Sequence, residues 1–139
     1  MSLFKQFGID PEKIANGVEV KFGKNDDKTI PTFYVSRAHA SNKEYKKDGE
    51  VAFRPYRRQI ELKTLSEDIA EDVMLDLFVS SVLKGWANVQ DEDGTSLSFT
   101  AENAKYILKA LPDLYDELQA AANDASLFRV ANREADAKN

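Results

Sequence analysis

Apolar and polar residues alternate along Val18-Glu19-Val20-Lys21-Phe22, a period of two that predicts a strand with one face covered. The turn-rich run Gly23-Lys24-Asn25-Asp26-Asp27-Lys28 separates it from a second apolar stretch, Thr29 to Val35, so residues 18–35 are expected to form a two-stranded ribbon. Pro31 cannot donate to a sheet ladder, which puts the second strand at an edge and leaves Phe33 and Tyr34 on it. A ribbon of two strands is marginal in water, so it has to lean on the helices or on a partner chain.

Beyond the ribbon the pattern turns helical. Ser36 to Lys47 permits a short helix that Asp48-Gly49 ends, and Pro55 disfavours helix in Arg54. Ser66 can cap a helix running to about Lys84, whose first turns carry Glu67, Asp68, Glu71 and Asp72 at the positive end of the dipole. Its apolar positions, from Ile69 and Val73 to Val82 and Leu83, spread wider than one stripe, which favours a central core helix over an exposed docking face. Gly85-Trp86 is read as its end, followed by a polar loop closing on Gly94.

Thr100 caps the next helix, with Phe99 and Ala104 spaced as a hydrophobic staple. That helix presents Ala104, Ile107, Leu108 and Leu111 on one face and stops where Pro112 opens another. The last helix aligns Leu114, Leu118, Ala121, Ala125 and Phe128. Trp86, Gly94, Phe99, Thr100 and Pro112 are thus read as structural residues.

The expected fold class is α+β, mostly helical: an N-terminal β-ribbon followed by a bundle of about three to four helices in a single domain. Within it, residues 1–17 form an unassigned N-terminal segment, 18–35 the ribbon, 36–63 a middle region, 64–130 the helical core and 131–139 a polar tail. Hydrophobic residues at 42% and charged ones at 31% are values of a chain that folds. No apolar run is long enough to cross a bilayer, and the start lacks the basic and apolar regions of a signal peptide, so a cytoplasmic protein without membrane partners is expected.

Charge changes the picture of the middle region. The net charge is −5, yet residues 37–63 hold eight Lys and Arg against four acids, a segment of +4 in a remainder of −9. Lys43, Lys46, Lys47, Arg54, Arg57 and Arg58, interleaved with Tyr45, Phe53 and Tyr56, have the composition of a nucleic-acid surface. The sequence pI near 5.0 and the intervening acids stand against nucleic acid, because a basic patch on an acidic protein is as readily a solvated face or a site for an acidic protein partner.

Catalytic chemistry finds little to stand on. The chain has no cysteine, and its one histidine, His39 between two alanines, lacks the spacing of a metal motif. Asp91-Glu92-Asp93-Gly94 departs from a calcium loop, whose sixth place requires glycine and here holds Ser96. No phosphate-binding glycine loop or nucleophile elbow occurs. No catalytic residue, metal ligand or cofactor is assigned, and the chain is expected to work by binding. Aromatic and Arg residues dominate hot spots, which selects Phe33, Tyr34, Arg54, Tyr56, Arg57 and Arg58 as candidate partner-binding residues.

The order of features from Gly85-Trp86 onward carries a resemblance. An acid-rich helix ending in Gly-Trp, an Asp-Glu-Asp-Gly loop, Leu-Ser-Phe-Thr-Ala-Glu-Asn-Ala, a break at Leu-Pro-Asp-Leu and a long helix ending Ala-Lys-Asn are together similar to the tail assembly chaperones of long-tailed bacteriophages. The likeness spans roughly Phe22 to Asn139 and is most specific at Trp86, Gly94, Phe99, Glu102, Asn103, Pro112 and Lys138-Asn139.

It implies a non-enzymatic protein of the infected host's cytoplasm, absent from the finished virion, that coats the tape measure protein. It also implies contact with the tail tube protein through a longer, frameshifted form beginning near Lys138-Asn139, and self-association is a further expectation. A structural head–tail connector or other morphogenesis adaptor is the alternative, and a small nucleic-acid-binding protein a more distant one.

Overall fold

The computed structural model describes residues 2–130. The expected polar tail over 131–139, with Lys138-Asn139, lies outside the described residues. The fold is α+β and mostly helical, as the sequence pattern predicts, around a small antiparallel sheet.

Two short helices, α1 (Leu3–Phe7) and α2 (Pro11–Asn16), lead into β1 (Val18–Lys21). Asp10 caps α2 by accepting from the Glu12 N–H, and Pro11 stands at the first helical position, where a missing donor costs nothing. Gly17 ends α2 at φ +82°, with its backbone so close to β2 that a Cβ would lie 2.9 Å from the Val35 nitrogen. Only glycine fits both constraints.

Strand β2 (Thr32–Val35) pairs with β1 on one side and with β3 (Leu83–Ala87) on the other, in the order β1-β2-β3. The expected two-stranded ribbon with β2 at its edge is therefore corrected: β2 is the central strand. Pro31 does not forbid this because it precedes the first paired residue, where it contributes a carbonyl acceptor to the Phe22 N–H at 3.0 Å.

The expected helix to Lys84 is corrected as well. Ser66 Oγ accepts from the Ile69 N–H and opens α5 (Glu67–Leu77), which continues as one π turn over Phe78–Val82 and then straightens at Leu83. Gly85 and Trp86 lie inside β3 and do not terminate a helix. Phe78, Val79, Val82 and Leu83 are all buried, so apolar residues on both sides of Ser80-Ser81 serve a π turn and a strand in succession.

Between these elements, α3 (Lys43–Phe53) runs through Asp48-Gly49, where a helix end was expected. Gly49 faces Leu77, whose Cδ2 would be 3.7 Å from an added Cβ, an ordinary contact, so the packing does not require glycine there. A short 3₁₀ turn with Pro55 and the one-turn α4 (Arg57–Glu61) follow.

Thr100 Oγ1 accepts from the Asn103 N–H to start α6 (Ala101–Ala110), and Pro112 opens α7 (Pro112–Asn123). Ala104, Ile107 and Leu108 are buried, whereas Leu111, expected on the same face, is half exposed because it leaves the helix at ψ 77°. A 3₁₀ turn (Ala125–Phe128) seats Phe128 fully inside and brings its carbonyl to the Asp10 N–H at 2.8 Å. The core joins one sheet face, through Phe33 and Val35, to Leu75, Phe78, Leu108 and Leu118.

Candidate partner-binding surfaces

Phe33 and Tyr34 separate once β2 is placed at the centre. Phe33 is 2% exposed and packs edge-on against Phe22 and Trp86, both with ring centroids at 5.8 Å. It anchors the sheet and presents no face to a partner, correcting its expected role on an edge strand. Tyr34, on the opposite face by the alternation of the strand, is half-buried.

Trp86 extends the stack, meeting Phe99 edge-on at 5.2 Å and donating from Nε1 to the Leu97 carbonyl at 2.9 Å. Each of these bonds ties the chain before α6 to the end of the sheet. Gly94 turns the neighbouring loop at φ +81°, and the Asp91 carboxylate accepts from the Asp93 and Thr95 N–H groups inside that same loop. A carboxylate turned onto its own backbone in this way shapes a turn.

Arg54, Arg57 and Arg58 stay together on a projecting arm. All five residues of α4 are exposed, and no residue from Lys43 to Asp72 is buried. Arg54, Arg57, Glu50, Glu61, Phe53 and Ile60 line an open depression of about 420 Å³. Ile60 and Leu62 expose 45% and 61% of their surface beside these cations, so the arm mixes charge with unburied apolar area. Tyr56, half-buried, sits at the junction of the 3₁₀ turn and α4.

A second surface was missed by the sequence reading. In α1, Leu3 is 70%, Phe4 91% and Phe7 57% exposed, and Val130 beside them 64%. This corner is held to the body by main-chain bonds, with Val130 N–H donating to the Gly8 carbonyl at 2.9 Å and Ile9 bridging Arg129. Lys13 Nζ adds a bond to the Arg129 carbonyl at 2.8 Å, and the Arg129 guanidinium lies 4.8 Å above the Phe7 ring. The available signal was Leu3-Phe4-Lys5-Gln6-Phe7, apolar at i, i+1 and i+4.

Among the described residues, Asp27 and Tyr115 are perturbed. Thr29, through its hydroxyl and N–H, and Gln90 hydrogen-bond Asp27 and hold its carboxyl below the ordinary range. Burial, then Tyr45 and Asp116, pushes the Tyr115 phenol up. Neither belongs to a constellation with catalytic geometry. His39 is exposed, its Nδ1 accepting from the Ser41 N–H at 3.0 Å. Among the described residues no group of three or more His, Asp or Glu is arranged to hold a metal ion, and no helix is long and apolar enough to cross a membrane.

No curated protein and no solved structure matches the chain. Residues 40–139, which include the arm, β3 and α5 to α7, match the family described as YdaY prophage protein. With well over half of its length in that match, the chain belongs to the YdaY prophage protein family.

Proposed function

We propose that this prophage protein is a tail assembly chaperone: a non-catalytic binder that covers the tape measure protein in the host cytoplasm and leaves before the virion is complete. The observation that carries the reading is the corner of Leu3, Phe4, Phe7 and Val130, exposed apolar side chains fixed on an ordered body. An extended helical protein awaiting its tube shows apolar stripes that need such a cover.

Fully covering a Phe or Leu side chain is worth about 1.5–3 kcal/mol. A patch of this size therefore gives modest affinity per copy, which lets many copies hold a long protein and lets tube subunits replace them one at a time. In this reading the tail tube protein is engaged through a longer form of the chain.

The test places a photo-crosslinking amino acid at Phe4 in cells producing the phage, with mass spectrometry of the adducts and of purified virions. Crosslinks to the tape measure protein, lost in Phe7→Ser, together with absence from virions, support the chaperone. Presence in virions makes the protein a structural head–tail connector, and labelling of neither tape measure nor virion removes the proposal.

A further inference from the structure

An apolar groove lies between α5 and α7, closed at one end by Leu108 and Lys109 of α6. Met74, Leu75, Leu108 and Tyr115 form its floor, and it encloses about 520 Å³. Glu71, Asp72 and Asp116 stand on its rim with one cation, Lys109, whose Nζ is 3.7 Å from Asp72 Oδ1. Glu71 and Asp116 have no ion-pair partner within 4.0 Å among the described residues. The groove is apolar inside and negative around its mouth.

The arm is its complement. Arg54, Arg57, Arg58 and Lys63 outnumber Glu61, and Ile60 and Leu62 stand among them unburied. None of the three arginines has an ion-pair partner among the described residues, and no arm residue lines the groove of its own chain. One molecule thus carries a free basic, apolar-tipped projection and a free acidic, apolar-floored receptacle.

We infer that the arm around α4 docks into the α5–α7 groove of a second copy of this chain, Ile60 and Leu62 entering it while Arg57 and Arg58 meet Glu71 and Asp116. The contact joins two different surfaces, so each copy offers one arm and one groove. A single arm covers less than the roughly 800 Å² per partner of a standard interface, so association is weak and set by concentration. The inference does not depend on which protein the chain coats.

Sedimentation velocity of the full chain from about 5 to about 500 µM brackets an interface of this small class. The weight-average mass should rise with concentration in about 0.1 M salt and fall back towards the monomer in about 1 M, where the screening length drops from roughly 10 to roughly 3 Å. Arg57→Glu/Arg58→Glu reverses the arm and Glu71→Lys/Asp116→Lys reverses the groove; all four side chains project from the surface, and circular dichroism checks that each variant is folded.

Each variant alone should associate at least about tenfold more weakly, a loss of about 1.4 kcal/mol. An equimolar mixture should recover assembly, because the reversed arm then meets the reversed groove and the native arm the native groove. Ile60→Asp, a single exposed change, should also abolish association. A wild-type chain that stays monomeric throughout, a reversed variant that assembles like the wild type, or a mixture that fails to recover overturns the inference.

Discussion

Replacing Phe33 by alanine removes the ring that joins the sheet to the core. Phe33 is 2% exposed, directly opposite Val20 on β1 and Trp86 on β3, with its ring held edge-on by Phe22 at 82° and by Trp86 at 78°. Truncating a buried Phe costs about 3–5 kcal/mol, because lost transfer energy adds to that of the cavity left behind. Two edge-to-face contacts, each worth about 0.5–1.5 kcal/mol beyond burial, place this site in the upper part of that range, about 4–5 kcal/mol.

A domain of this size has about 5–15 kcal/mol of stability in all. With about 3–5 °C of melting temperature per kcal/mol, Phe33→Ala should melt roughly 12–25 °C below the wild type. Urea denaturation followed by circular dichroism should show a lower midpoint at an unchanged slope. Arg54→Ala, on the exposed arm, should stay within about 0.5 kcal/mol of the wild type in the same assay. A Phe33→Ala chain melting within about 3 °C of the wild type would refute the central placement of β2.

Thr100→Ala removes the side-chain acceptor for the Asn103 N–H and should cost about 1 kcal/mol in urea denaturation. Gly17→Ala meets both a φ of +82° and a Cβ contact at 2.9 Å with Val35 N, and should cost at least about 1–3 kcal/mol by the same measurement. Asp27 sits below its ordinary 3.8 in the folded chain, so its bonds stabilise the fold above that pH and are lost as pH falls through the folded value; amide-exchange protection at Thr29 should drop there. Tyr115 sits above its ordinary 10.0, so burial of the neutral phenol favours the fold below pH 10.0 and that contribution fades as pH rises through the folded value; ultraviolet titration of Tyr115→Phe should lack one transition above 10.

The elements carried by local chemistry were legible in the sequence. Ser66, Thr100 and Pro112 stand where a helix needs a side-chain acceptor or has no use for an N–H, and α5, α6 and α7 begin at them. The alternation over Val18 to Lys21 gave β1 in the same way. What was not legible depends on pairing across the chain. The apolar residues from Phe78 to Leu83 read as helix through to Lys84 when a third strand is not in view, and β3 begins at Leu83 because Leu83 and Trp86 have β2 to face. The same missing strand made Pro31 look like the mark of an edge, and it carried Phe33 with it into the candidate site.

The site residues divide along the same line. Arg54, Arg57 and Arg58 could be chosen from sequence because charge requires exposure, and the structure leaves all three exposed. An aromatic residue carries no such requirement: Phe33 and Phe4 are the same residue type, yet one is 2% and the other 91% exposed. Only the packing of the whole chain distinguishes them.

Residues 43–72 contain no buried side chain, although fixing each backbone unit costs about 1–2 kcal/mol in conformational entropy. The first part of this stretch is held by half-buried contacts, Tyr45 against the core and Gly49 against Leu77. From Arg54 to Thr64 only Tyr56 is half-buried and every other side chain is exposed, and this is where Arg54, Arg57, Arg58 and the uncovered Ile60 and Leu62 gather. The +4 of residues 37–63 stands against −9 in the rest of the chain, and none of the ion pairs among the described residues engages a Lys or Arg of that segment. Opposite charges held apart within a molecule attract most effectively between molecules, so the segment that adds least to the core is the one suited to connect copies of the chain.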